Sequence, residues 1–191
     1  TALAAGAGLV FFLLFFSGST TVSYAAGPPL PAFGRGPVEV RVYTDYFCGP
    51  CRAEEAEVMA LITELVEKTL IRVIFIDTPI HKETVLYAGY FLSALNAKEG
   101  GDLRQAVTLR AALFEAAVEK IADKEGLDLF LKKKGIALRP FDTAPVFKIF
   151  GNYLKEDRIN ATPSCVIVGP QGKQTLVGRD DTLKALRSLR K

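Results

Sequence analysis

The chain has 191 residues, with 24 Lys and Arg against 21 Asp and Glu, one histidine and three cysteines. Apolar residues at 49% and charged residues at 24% exclude a disordered chain, and a net charge of +3 excludes the basic footprint of a nucleic-acid-binding protein. One histidine excludes a multi-histidine metal site, and three cysteines are too few for a scaffold held together by disulfides.

The N-terminal part of the chain is uncharged as far as Arg35. Residues 2–16 are apolar or glycine, and this length matches the core of a signal peptide better than a membrane span of roughly 20 residues. We interpret residues 1–25 as a signal peptide or membrane anchor and residues 26–37 as a linker. Both alternatives place the remaining chain in the periplasm or another extracytoplasmic compartment, where disulfides persist.

The segment after the linker has the pattern of two strands joined by a helix. Residues 38–43 alternate with a period of two and are rich in β-branched residues, which predicts a strand. Residues 52–68 carry one apolar stripe at helical spacing. Residues 71–76 form an apolar run typical of a strand buried on both faces. This order predicts a right-handed parallel crossover.

About eighty residues of helical periodicity, 79–158, then separate this unit from the C-terminal one. They predict four helices, at 83–96, 102–122, 127–133 and 143–155, with Asp102 and Thr143 as caps. We expect this block to be an insertion within a single domain that spans residues 38–191.

The C-terminal unit has the pattern of a hairpin followed by a helix. Strands are predicted at 164–168 and 173–177, joined by a short Gly-Pro-Gln-Gly turn. A last helix is predicted at 182–189, capped by Asp180 or Asp181.

The residues with redox chemistry lie where the first strand ends and the first helix begins, in Cys48-Gly49-Pro50-Cys51. At a helix N-terminus, unpaired N–H groups and the positive end of the helix dipole favour thiolate over thiol. Cys48 is therefore the predicted nucleophile, and Cys51, one turn later and more buried, resolves the mixed disulfide. Pro50 allows the helix to begin directly after the motif.

A C-x-x-C pair is also half of a zinc site, which needs four ligands. Only Cys165 and His81 remain as further donors of these types, so a metal-binding protein is an alternative of another class. We interpret Cys165, among apolar strand residues, as a buried small hydrophobe rather than a third redox thiol. We interpret His81 as a structural hydrogen-bonding residue, because disulfide exchange requires no fixed histidine.

Three segments carry a resemblance to a known family. Residues 43–52 resemble the active-site segment of DsbA-like thioredoxin-fold oxidoreductases, above all the DsbG and BdbD branch, in which an aspartate precedes the first cysteine by three, as Asp45 does here. Residues 76–81 resemble the strand end that leads into that family's helical insertion. Residues 160–164 resemble its cis-proline loop. The resemblance implies an α/β thioredoxin fold, βαβ plus ββα, with a helical insertion between the two halves.

The resemblance also implies a function and a substrate-binding loop. Pro163 would be cis and lie against the disulfide, and the backbone of Thr162 would pair with an extended substrate peptide. The protein would be an enzyme that exchanges disulfides with cysteine-containing exported proteins and is recycled by a redox partner. No cofactor is implied beyond the redox-active disulfide of Cys48 and Cys51.

The sequence departs from the family at two positions. Val42 stands where thioredoxin and DsbA carry a buried acid, and we interpret the nearby Asp45 as a solvated turn aspartate rather than a proton-transfer group. Pro50 stands where DsbA has a histidine, so the thiolate of Cys48 should be less stabilised. The reduction potential is then expected nearer about −270 mV, as in thioredoxin, than about −120 mV, as in DsbA. A reductant, for example of apocytochrome c, is therefore an alternative to an oxidase or isomerase.

Overall fold

The computed structural model describes residues 30–98 and 101–190, together with Thr1. The predicted signal peptide or anchor, apart from Thr1, lies outside the described residues. Among the described residues, no helix is both long enough and apolar enough to cross a membrane.

The described residues form five strands and six helices. The strands are β1 (Ala32–Gly34), β2 (Val38–Thr44), β3 (Ile71–Asp77), β4 (Ser164–Gly169) and β5 (Gly172–Val177). The helices are α1 (Gly49–Glu67), α2 (Thr84–Asn96), α3 (Leu103–Val118), α4 (Lys124–Lys133), α5 (Ala144–Glu156) and α6 (Arg179–Ser188).

All five strands belong to one sheet in the order β1-β3-β2-β4-β5. Strands β2 and β3 are parallel, as the predicted crossover requires, and β4 and β5 form the predicted antiparallel hairpin. Helices α2 to α5 follow one another between β3 and β4, in the region predicted to be an insertion. The predicted thioredoxin fold with a helical insertion is confirmed.

Strand β1 was not predicted, because it falls in the segment interpreted as a linker. Ala32 pairs with Ile74 at the edge of the sheet, and the ring of Phe33 packs 5.8 Å from that of Phe75. Gly36 then passes so close to the main chain that a Cβ there would lie 2.2 Å from the amide nitrogen of Ile71. A three-residue strand is too short to show a period of two, and the linker interpretation of residues 32–34 is wrong.

Two of the predicted helix caps differ from the structure. Asp102 caps α3 as predicted, since its side chain accepts a hydrogen bond from the N–H of Gln105 at 2.7 Å. Thr143 makes no capping hydrogen bond. Helix α6 begins at Arg179, so its two aspartates lie inside the first turn, where their charge favours the helix through the dipole without capping it.

A buried carboxylate at the end of the insertion fixes α5 to the sheet. The side chain of Asp157 is completely buried and accepts hydrogen bonds from Arg41, at 3.0 Å, and from the hydroxyl of Tyr43. Burial by itself would raise the pKa of Asp157, but hydrogen bonds from Lys173, Tyr43 and Arg41 outweigh it, so the pKa is lowered. The Arg41 guanidinium also lies 4.4 Å from the centre of the Tyr153 ring.

Replacing Asp157→Ala should lower the free energy of unfolding by about 2–4 kcal/mol, because it leaves the partly buried guanidinium of Arg41 and the hydroxyl of Tyr43 without their shared acceptor. The matched control is Glu156→Ala, whose side chain is 57% exposed and also contacts Arg41. It should cost less than about 1 kcal/mol. Urea denaturation measures the free energy of unfolding of both variants. Equal losses would contradict the conclusion that the buried carboxylate contributes more than the exposed one.

Candidate active site

Helix α1 begins inside the cysteine motif. Cys48 is its N-cap, and its Sγ atom accepts a hydrogen bond from the N–H of Cys51 at 3.2 Å. The helix starts at Gly49, so the predicted start at Arg52 is wrong. Pro50 lies in the first turn, where a missing N–H costs no helical hydrogen bond. The sulfur of Cys48 therefore faces the N–H groups at the positive end of the helix.

Cys48 and Cys51 are joined in a disulfide, with their Cα atoms 5.3 Å apart. Cys51 is fully buried, whereas Cys48 keeps 8% of its surface exposed. Gly49 and Pro50 are exposed, and a Cβ added at Gly49 would meet no atom within 4 Å. The disulfide is therefore open to a partner molecule on the side of Cys48.

The cis-proline loop lies against the disulfide, as the resemblance implies. The Thr162–Pro163 peptide bond is cis, and the carbonyl oxygen of Thr162 lies 3.5 Å from Sγ of Cys48. The carbonyl of Pro163 accepts a hydrogen bond from the N–H of Gly178 at 2.9 Å, which ties the loop to the start of α6. The fold thus brings together two segments that are 114 residues apart.

Asp45 is fully buried, so its interpretation as a solvated turn aspartate is wrong. Its Oδ1 accepts a hydrogen bond from the N–H of Phe47 at 2.8 Å and lies 3.0 Å from Nδ1 of His81. Its Oδ2 accepts from the N–H groups of Ile80 and His81 and from the hydroxyl of Thr84, at 3.0, 2.9 and 2.7 Å. His81 is a structural hydrogen-bonding residue, as predicted.

A buried ion pair joins the insertion to α1 beneath the active-site loop. The side chain of Arg110, from α3, is completely buried, and its Nε and Nη2 atoms donate to the two carboxylate oxygens of Glu55 at 2.7 and 2.8 Å. Nη2 also donates to the hydroxyl of Thr44 at 2.9 Å, and Nη1 lies 3.9 Å from Asp77. The guanidinium packs 4.8 Å from the centre of the Phe75 ring.

Two further buried carboxyl groups lack such pairing. In the part of the chain that the structure describes, both carboxylate oxygens of Asp77 and Oε2 of Glu54 are buried without a hydrogen-bond partner. Burial raises the pKa of Asp77 to about 7, and the nearby side chains of Arg110 and Tyr46 offset this only in part. Burial, together with repulsion from Glu55, raises the pKa of Glu54 to about 7.

Cys165 lies in β4 in register with Val42 of β2. Its thiol is free and fully buried, and burial raises its pKa to about 12. A buried neutral thiol is a poor nucleophile, in agreement with the interpretation of Cys165 as a small hydrophobe. Over the residues that the structure describes, no group of three or more His, Cys, Asp and Glu side chains is arranged to hold a metal ion.

The sequence interpretation missed the buried charges. Arg110 carried the clearest signal, because it stands on the apolar face of a predicted helix, four residues after Ala106 and three before Leu113. A cation at such a position needs a buried anion nearby. Glu55 carried no comparable signal, because it belongs to an ordinary run of helix-forming residues.

A family model described as Thioredoxin matches residues 35–185. The chain belongs to this family. No protein of curated function is significantly similar to it in sequence.

Several solved structures share the thioredoxin-family fold of this chain. The α-DsbA1 of Wolbachia pipientis has a TM-score of 0.62 at 14% identity, over 85% of this chain and 90% of that one. A periplasmic thioredoxin-like protein of Salmonella enterica serovar Typhimurium has a TM-score of 0.62 at 18% identity, over 86% and 92%. The catalytic domain of Proteus mirabilis ScsC has a TM-score of 0.60 at 20% identity, over 88% and 93%. The predicted thioredoxin-type family is confirmed by the family model, and the predicted resemblance to DsbA-like proteins is confirmed in fold.

The buried carboxyl of Asp77 should make stability depend on pH. Because its pKa is raised from 3.8 to about 7 in the folded protein, its contribution is fully present below about pH 4 and is lost as the pH rises through 7. Relative to Asp77→Asn, the unsubstituted protein should therefore lose roughly 2–4 kcal/mol between pH 4 and pH 8. Urea denaturation across this pH range measures the difference in free energy of unfolding between the two proteins. A difference that does not change with pH would contradict the raised pKa of Asp77.

Proposed function

We propose that this protein is a thiol–disulfide oxidoreductase that exchanges disulfides with cysteine-containing proteins through Cys48 and Cys51. The observation that carries the proposal is a disulfide at the N-terminus of α1 in which Cys51 is fully buried and Cys48 keeps 8% of its surface exposed, with the Cys48 sulfur 3.5 Å from the Thr162 carbonyl. The family match supports the same chemistry. The disulfide itself is the redox group, and no further cofactor is proposed.

The exchange proceeds through a mixed disulfide. In the oxidising direction, a substrate thiolate attacks Sγ of Cys48, the Cys48–Cys51 bond breaks, and Cys51 leaves as a thiolate that takes up a proton from solvent. A second substrate thiolate then attacks the substrate sulfur of the mixed disulfide, and Cys48 leaves. The substrate dithiol becomes a disulfide while the pair becomes a dithiol. Substrate reduction is the same sequence in reverse, starting from attack by Cys48.

Thr162 and Pro163 are proposed to align the substrate beside Cys48. An extended peptide adding to the exposed backbone of this loop would place its sulfur near the disulfide, in the manner of strand addition. The open space at Gly49 supports this approach, since no side chain there blocks the exposed face of the disulfide.

The direction of electron flow is proposed to favour reduction of substrates. Pro50 supplies no cation for the Cys48 thiolate, and Asp45 is a buried carboxyl group three residues before that cysteine. Arg110 is paired with Glu55 and leaves little positive charge to offset the Asp45 carboxylate. Negative charge near a thiolate disfavours it and lowers the reduction potential.

We propose an extracytoplasmic location, supported by the apolar residues 2–16 and by the similarity to a structure described as a periplasmic thioredoxin-like protein. The partners are then exported proteins with cysteines, and a further thiol–disulfide protein that recycles the pair. Contact with a membrane is proposed only through the N-terminal segment, if it is retained.

Cysteine variants test the proposed roles. Cys48→Ala should lower the rate of insulin reduction more than about 100-fold, because the attacking sulfur is lost. Cys51→Ala should accumulate a mixed disulfide with substrate, which gel electrophoresis without reductant detects. Cys165→Ala is the matched control and should retain most of the activity, since its thiol is buried and neutral. Equal losses in the Cys48 and Cys165 variants would contradict these assignments.

Equilibration with glutathione tests the proposed direction. The potential of the Cys48–Cys51 pair should lie nearer about −270 mV than about −120 mV. A value near −120 mV would overturn the proposed direction, and failure to exchange at all would overturn the proposed function. Stoichiometric zinc or iron in the purified protein, lost on Cys48→Ser, would instead favour the metal-binding alternative.

A further inference from the structure

The Asp45 carboxylate is surrounded by hydrogen-bond donors on two different segments. One donor, the N–H of Phe47, belongs to the loop that leads into the disulfide. The others come from Ile80, His81 and Thr84, where the chain passes from β3 into the helical insertion. An ionised carboxylate is an acceptor-only group and matches this set. The carboxylate therefore ties the active-site loop to the start of the insertion.

The same residue is also close to the attacking sulfur along the chain. The N–H of Cys48 donates to the main-chain carbonyl of Asp45 at 3.1 Å, and the side chain of Asp45 holds the N–H of Phe47. Two hydrogen bonds to Asp45 thus close the turn that places Cys48 at the N-cap of α1. A buried negative charge is fixed three residues before the nucleophile, without solvent to screen it.

We propose that Asp45 is a positioning residue that sets the redox equilibrium of the Cys48–Cys51 pair. This inference rests on the proposed function. The carboxylate holds the loop in place and, through its charge, disfavours the thiolate that Cys48 carries in the reduced protein. The oxidised protein has no thiolate, so the charge favours the disulfide over the dithiol. His81 moderates the effect, since its Nδ1 lies 3.0 Å from the same carboxylate.

Two substitutions distinguish an effect of charge from an effect of packing, by the direction in which each shifts the redox equilibrium of the cysteine pair. Asp45→Asn removes the charge but keeps one oxygen that can accept from Ile80, His81 and Thr84. His81→Ala keeps the charge and removes a side-chain group that partly compensates it. If Asp45 acts through its charge, the two variants shift the equilibrium of the pair in opposite directions. A purely structural role predicts no such opposition.

The experiment is equilibration of each purified protein with reduced and oxidised glutathione, in which two glutathione thiols reduce the disulfide and leave as glutathione disulfide. Asp45→Asn should shift the equilibrium constant about three- to tenfold toward the dithiol, because the thiolate is no longer opposed by the carboxylate. This corresponds to a potential about 15–30 mV higher, since tenfold in the constant equals about 30 mV. The rate at which iodoacetamide alkylates Cys48 at pH 7 should rise as well.

Asp142→Asn is the matched control. Asp142 accepts the same kind of hydrogen bond, from the N–H of Ala144 two residues later, at 3.0 Å, but it lies before α5. This variant should leave the glutathione equilibrium unchanged. His81→Ala should shift the equilibrium about twofold toward the disulfide. Its side chain is 45% exposed, so this variant should lose less stability than Asp45→Asn, and it tests the proposal even where Asp45→Asn fails to fold.

Each outcome decides between the proposals. A protein that does not exchange with glutathione at all refutes the proposed function, and the inference with it. A protein that exchanges normally, but whose Asp45 and His81 variants both match it or both shift the same way, refutes the inference alone. Opposite shifts in the two variants, with an unchanged Asp142 control, support the inference.

Discussion

A fully buried arginine can be accommodated only where an anion meets it, and Arg110 meets Glu55 in a two-point hydrogen-bonded pair. This requirement determines how the insertion packs, because Arg110 belongs to α3 and Glu55 to α1. The pair lies one helical turn beyond Cys51. The insertion therefore fixes α1 through this pair, and the disulfide lies at the start of a helix that the insertion stabilises.

The pair between Arg110 and Glu55 does not balance the other carboxyl groups near the active site. The guanidinium offsets one carboxylate, while Asp45 and Asp77 remain at the ends of neighbouring strands. Asp45 has five hydrogen-bonding neighbours, whereas Asp77 has no hydrogen-bond partner within the described residues and only the more distant Arg110 guanidinium, at 3.9 Å. The two groups are equally buried, but the Asp45 carboxyl lies among hydrogen-bond donors, whereas Asp77 is favoured in its protonated form up to about pH 7. Burial alone does not predict the chemistry of a carboxyl group, because its donors decide the outcome.

The sequence predicted best the features that depend only on neighbouring residues. The C-x-x-C motif between a strand and a helix needs only neighbouring residues for its recognition, and the periodicity of each helix reports its own buried face. The cis-proline loop came from a resemblance, because no local property of residues 160–164 distinguishes it. Helix ends were less accurate, since the first turn of α1 includes the motif itself.

What the sequence could not predict depends on contacts between distant segments. The environment of Asp45 is made by residues 35 to 39 positions later, and nothing near Asp45 indicates them. Its local pattern, an aspartate before a tight turn, is equally typical of a solvated loop. Strand β1 is defined by its pairing with β3 rather than by its own three residues. In each case, tertiary structure supplies the partners that give the residue its role.

The pairing of β1 also determines at which end of the sheet the described chain begins. Because β1 runs antiparallel to β3, the residues before Ala32 lie toward the C-terminal end of β3: Ala32 pairs with Ile74, and the N–H of Phe75 donates to the carbonyl of Pro31. The chain therefore enters the sheet at the end of the strands from which the active-site loop emerges. Helix α6 begins near the cis-proline loop and runs away from it, so the chain after it leaves from the opposite end. The described chain therefore begins on the side of the sheet where the disulfide lies and ends, after α6, on the opposite side.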